Sequence, residues 1–252
     1  MAGPETHSTN ETIKPAAEGS TLEPFRYATF TVLWMATVVA NVGVWMQNAA
    51  AGWLMTGLTP DPFLVSLVQV ATSVPIFVLA LPAGALADIV DRRRLLIAVQ
   101  TVSVLIVAAF GFLVWAGRVT PAILLTFVVV FGTGAALIMP AWQSIVPQLV
   151  PRAYLQPAVA LNGVGLNVSR AIGPALAGLV IAAWGLASPF WVNAVTTIGV
   201  VVALIWWRPK VDPAASRLPA ERFYRAIAAG LRHARYNSHL RATLIRAAGF
   251  FI

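Results

Sequence analysis

The 252-residue chain contains no cysteine. Disulfides, thiolate nucleophiles and zinc–thiolate sites are therefore excluded. Charge is nearly as scarce, at 10% of residues, against about 25% in an average soluble domain. So few charges cannot cover a water-facing surface on a chain that is 59% hydrophobic, with mean hydropathy +0.79. The long apolar runs hold no Asp or Glu away from their ends, and His7, His233 and His239 all fall outside them. No catalytic dyad or metal cluster is visible within the runs, so neither an enzyme nor a cofactor is expected. Proton coupling through an embedded carboxylate or histidine would need a group from outside this stretch. The N-terminus lacks the basic region and short apolar core of a secretory signal. It carries Glu5, Glu11, Glu18 and Glu23 among polar residues, and residues 1–25 read as a disordered cytoplasmic tail.

Six apolar segments long enough to cross a bilayer are present, at 28–56, 63–87, 95–116, 121–146, 158–184 and 189–207. The fold expected is an all-α membrane protein with a six-helix transmembrane bundle over 26–208. If the six alternate in direction, Lys14, Arg26, Arg92, Arg93, Arg94, Arg152 and the nine basic residues from Arg208 to Arg246 share one side. The other side holds only Arg118 and Asp61. That asymmetry predicts a multi-pass protein of the cell membrane with a cytoplasmic N-terminus. It also accounts for the net charge of +8 without nucleic acid, so the lipid bilayer is the expected partner. Residues 209–241 hold Phe223, Ile227 and Leu231 among arginines, which fits either a basic amphipathic helix on the membrane surface or a solvated linker. Residues 242–252 turn apolar again and read as the truncated start of a seventh span, so the chain is expected to be the front half of a longer protein.

Polar side chains inside the spans are candidates for a solute cavity or for helix–helix contacts. The cavity candidates are Asn41, Gln47 and Asn48 in the first span, Gln69 in the second, and Asn162 and Asn167 in the fifth; Gln143 and Asn193 are further embedded amides. Arg170 lies near mid-membrane in the fifth span, where a guanidinium demands a partner: a backbone carbonyl, an amide, a group from elsewhere or an anionic substrate. Gly163, Gly165, Gly173 and Gly178, with Pro174, mark close contacts or a bend in that helix, and Gly132 and Gly134 do so in the fourth.

Residues 84–96 read GALADIVDRRRLL. This resembles the loop motif between helices two and three of the major facilitator superfamily: Gly84, Asp88, Arg92 and Arg93 match it, and Asp91 stands where most members have glycine. The DRRR form, completed by Arg94, is similar to the enterobactin-exporter-like branch, also described as transmembrane secretion effectors. Residues 140–152, PAWQSIVPQLVPR, agree with that branch. Residues 160–178, ALNGVGLNVSRAIGPALAG, resemble the antiporter motif through Gly173, Pro174 and Gly178, with Arg170 just before them. Ser169 and Ala177 replace glycines of that motif, and the superfamily's helix-four arginine motif is absent. The resemblance implies half of a twelve-helix fold, built from two inverted three-helix repeats, with a C-terminal six-helix half as partner. It implies a secondary active transporter, an exporter of drug-like or siderophore-like small molecules working by alternating access. In it residues 84–94 form a conformational latch. The alternative is a membrane scaffold or assembly subunit without transport of its own.

Overall fold

The computed structural model describes residues 21–208. The expected N-terminal tail up to residue 20, the linker over 209–241 and the seventh-span start over 242–252 lie outside the described residues. Six membrane-length helices follow a short 3-10 turn at Glu23–Arg26: α1 (Ala28–Leu58), α2 (Pro62–Ile89), α3 (Arg92–Trp115), α4 (Pro121–Leu149), α5 (Leu155–Trp184) and α6 (Ser188–Trp206). No strand occurs among the described residues.

Local chemistry sets the ends. Asp61 accepts from the Phe63 amide at 2.9 Å, Asp91 from the Arg94 amide at 2.9 Å, and Thr120 from the Ile123 amide at 3.3 Å, so α2, α3 and α4 each open on a side-chain cap. Pro62, Pro121 and Pro189 occupy first turns, where a missing N–H costs nothing. Gly117 closes α3 with φ +63°, its amide bonding Val114 O at 3.1 Å while the Arg118 amide bonds Leu113 O at 3.0 Å. This is a Schellman stop, which uses the left-handed conformation that glycine adopts freely.

Packing divides the helices into two equivalent sets. α1 lies mainly against α5 and α6; α4 lies mainly against α2 and α3; α3 meets α6. Exchanging α1–α2–α3 with α4–α5–α6 reproduces this pattern, and three helices per set make the second set inverted in the membrane. Lipid supplies no hydrophobic drive between helices, so close packing and interhelical hydrogen bonds hold them. Phe30, Leu33, Leu96, Ile145, Leu149 and Leu204 pack at the end carrying the arginines. At the far end Phe110 stacks on Phe127 with centroids 3.8 Å apart, and Phe190 meets both edge-on. Exposed Trp53, Trp115 and Trp184 ring the far end, and exposed Trp206 the arginine end, where amphipathic rings favour the bilayer interface.

The arginine loop is bound into the bundle. Arg93 donates from Nε to Leu204 O at 2.7 Å and from Nη2 to Ile205 O at 2.8 Å, satisfying carbonyls that α6 leaves unpaired in its last turn. Arg92 reaches Ala87 O and Ser144 O, each at 3.4 Å, so one side chain touches the ends of α2 and α4. Arg93→Ala should fray the last turn of α6 and cost about 1–2 kcal/mol; faster amide hydrogen exchange at residues 204–207, with the far end unchanged, would show it.

Candidate functional site

Small side chains let three helices meet at α1. A Cβ at Gly43 would stand 2.5 Å from Thr196 Oγ1 and 3.0 Å from Asn193 Cα, so α6 crosses α1 there. A Cβ at Gly165 would stand 2.6 Å from Val38, and one at Gly173 would run into Trp45 Cβ, with Val42 O at 3.3 Å. Between these two, the Ser169 hydroxyl lies 2.8 Å from Gly165 O and 3.1 Å from Val38 O. Trp34 Nε1 donates to Leu161 O at 3.1 Å and fixes the same seam nearer the arginine end. The buried stripe Leu161–Gly165–Ser169–Gly173–Ala177 is thus the face that α5 turns to α1. Not every small residue of α5 belongs to it. Among the described residues nothing lies within 4 Å of a Cβ at Gly163 or Gly178, and Pro174 is exposed, so these residues face away from the contact with α1. The expectation of close packing at Gly163 and Gly178 is not met among the described residues: their spacing puts them off the stripe. Gly132 and Gly134 do sit at crossings, with a Cβ 3.2 Å from Thr72 O and 3.1 Å from Ser103 Oγ respectively.

A polar layer separates the two apolar clusters. Asn193, fully buried, donates from Nδ2 to Gln47 Oε1 at 2.5 Å, and the Thr197 hydroxyl donates to Asn193 Oδ1 at 3.2 Å. With its oxygen engaged, Gln47 has its amide nitrogen left as a donor.

Gln47 also lines a cavity of 120 Å³ between α1, α2 and α4, toward the far end. Asn48, Gln69 and Thr72 share its wall, together with Trp45, Phe127 and Phe131. Three of the six amides singled out in the sequence therefore converge. Asn41 and Asn162 are half-buried and do not line this cavity. Asn167 donates to Gly163 O of its own helix at 2.8 Å. Trp45, Phe127 and Phe131 carry no sequence signal that separates them from other apolar residues of their spans.

Arg170 lies at the midpoint of α5, on the bundle surface, with its guanidinium 5.2 Å from the ring centroid of Trp45. Among the described residues no carboxylate pairs with it. A cation at mid-membrane costs about 2.5–3.5 kcal/mol on insertion scales, and an exposed aromatic face returns about 0.5–1 kcal/mol. The Trp45 stack leaves most of that cost standing.

The α1–α5 seam has two unlike sides. On one, Val39, Val42, Met46, Ile172, Leu176 and Val180 form an apolar groove of 310 Å³ reaching α6. Thr196 at its edge is masked by hydrogen bonds to Val192 O and Asn193 O. On the other, Arg170 covers Trp45, and Trp45 opens onto the amide cavity. The first side suits acyl chains and the second suits water and solute.

Of the loop motif, Gly84 has open space around its Cβ position, Asp88 belongs to the last turn of α2, Asp91 caps α3, and Arg94 is exposed.

A family model described as transmembrane secretion effector matches residues 19–252. The chain is 27% identical over 155 residues to the staphyloferrin A transporter of Staphylococcus aureus, covering 61% of this chain and 39% of that protein. It is 28% identical over 159 residues to the uncharacterized MFS-type transporter YfiS of Bacillus subtilis, covering 62% and 36%. It is also 28% identical over 216 residues to the multidrug efflux pump Tap of Mycolicibacterium fortuitum, covering 83% and 53%. The chain thus spans roughly half or less of the length of these relatives. No solved structure matches it.

Proposed function

Because the chain belongs to the transmembrane secretion effector family of major facilitator transporters, we propose that it acts in a secondary active carrier that exports a small molecule by alternating access. The observation that carries this reading is the cavity where Gln47, Asn48 and Gln69 meet from two helices inside an otherwise apolar bundle. Relatives named as a staphyloferrin A transporter and a multidrug efflux pump support small-molecule cargo. In this reading the six helices form one half of the carrier and rock as a body against a second six-helix half. In this reading the arginine loop faces the cytoplasm. The excess of basic residues at that end supports the orientation.

Residues 84–94 serve as a latch that holds one conformation. Asp88→Asn in the full chain is expected to slow export about tenfold while membrane insertion stays intact. Accumulation of a set of fluorescent dyes in cells with and without the gene, read beside protein level, tests both ideas. Reduced accumulation of a dye that depends on the gene supports the carrier. Full-rate export by a well-expressed Asp88→Asn variant removes the latch. No change for any dye favours the scaffold alternative.

A further inference from the structure

The charge at the polar side of the α1–α5 seam has no carboxylate partner among the described residues. Arg170 is the sole charged residue in the six spans away from their ends. It stacks on a wall residue of the cavity, Trp45. No Asp or Glu lines that cavity. Its polar wall comprises three amides and a hydroxyl, and Thr72 spends its own hydrogen on Val68 O at 2.9 Å. Gln47 has its oxygen bound by Asn193 and offers the nitrogen end. The cavity therefore offers the Gln47 N–H and the whole amides of Asn48 and Gln69 beside the aromatic faces of Trp45, Phe127 and Phe131, and the one positive charge stands against Trp45 at its edge, outside the lining. A cationic solute entering it meets repulsion without a compensating carboxylate. An anion held at the Trp45 edge of the cavity meets the guanidinium beside that ring, whose planar donor fork suits a carboxylate.

We propose that Arg170, Trp45 and the amides Gln47, Asn48 and Gln69 form a subsite for the anionic group of the cargo, and that the cargo is a carboxylate with an apolar or aromatic body. This assignment rests on the carrier reading and narrows its cargo to one charge class. The guanidinium binds the carboxylate, the donors fix its orientation, and the aromatic wall takes the body. The anion supplies the partner that a mid-membrane arginine requires.

The test uses the full chain in nanodiscs of phosphatidylcholine, whose headgroup is neutral overall, so that the surface enriches neither ion. The probes are indole-3-acetate, indole-3-acetamide and tryptamine, which share a ring and differ in charge. Indole-3-acetate should bind about tenfold more tightly than either of the others. Arg170→Gln should lower its affinity to that of the acetamide and change acetamide binding less than about twofold, while Arg170→Lys keeps part of the preference. The wild-type series stands whether or not the variants fold: if tryptamine or the acetamide binds as tightly as the acetate, the proposal is overturned. Unchanged acetate binding by an Arg170→Gln protein with a normal thermal transition overturns it as well. The same probes in proteoliposomes separate the two readings. Preference for the acetate in binding without transport of any probe supports the anion site and removes the carrier. Transport of tryptamine ahead of the acetate removes the anion site and keeps the carrier.

Discussion

Gly173→Ala should destabilise the bundle by about 1–3 kcal/mol, the range for forcing volume into a packed contact. The added methyl collides with Trp45 Cβ, an atom fixed to the α1 backbone, and lies 3.3 Å from both Trp45 C and Val42 O. No rotamer change clears a Cβ or a backbone atom, so α5 must move away from α1. That shift carries Arg170 off the Trp45 ring. Thermal unfolding in detergent should show a lower midpoint for Gly173→Ala and little change for Gly178→Ala, whose Cβ position is empty to 4 Å. Equal losses at both positions would refute the stripe as the seat of α5.

Gln47→Leu has a comparable effect by another route. It removes the acceptor of Asn193 Nδ2, and Asn193 is fully buried, so no water can replace the lost bond. Interhelical hydrogen bonds in membranes average about 0.6 kcal/mol, but a stranded buried donor costs about 1–3 kcal/mol, and the second figure governs here. Asn193→Leu should cost less, because the Gln47 oxygen it strands borders the cavity and the Thr197 hydroxyl it releases can turn to a carbonyl of its own helix. The double variant Gln47→Leu/Asn193→Leu should recover part of the Gln47→Leu loss, since neither partner is then left unpaired. A double-mutant cycle of unfolding midpoints measures this, and strict additivity would show that the two amides are not coupled.

The helices were legible because a hydrocarbon interior selects long apolar segments. The 28–56 expectation became Ala28–Leu58, and 158–184 became Leu155–Trp184. The displacement at the start of the third span has a physical cause. The third span was expected from residue 95, yet α3 starts at Arg92. Hydropathy reports where oil begins, whereas the helix begins where Asp91 caps it, and the three arginines fill a first turn outside the oil. The cost of burying an amide in lipid singled out six candidates, and Gln47, Asn48 and Gln69, half of them, line the cavity. That cost does not say which amides meet: Asn193 pairs with Gln47 across 146 residues of sequence. Nor does local sequence tell that Arg93 caps α6, that Trp45 underlies Arg170, or that Gly173 lies on the packed stripe while Gly178 does not. Each depends on the rotation of a helix about its axis, which its neighbours decide.

The links between helices are short. Residues 90–91 alone join α2 to α3, residues 59–61 join α1 to α2, and residues 185–187 join α5 to α6. Three intervening residues reach at most roughly 14 Å when fully stretched, and packed helices already lie about 8–10 Å apart. These three tethers therefore have little slack, and the joined ends of α1 and α2, of α2 and α3, and of α5 and α6 stay close. A large movement of α2 against α1 or α3, or of α5 against α6, must therefore bend a helix, with Pro75, Pro82 and Pro174 as weak points, or carry the joined helices together.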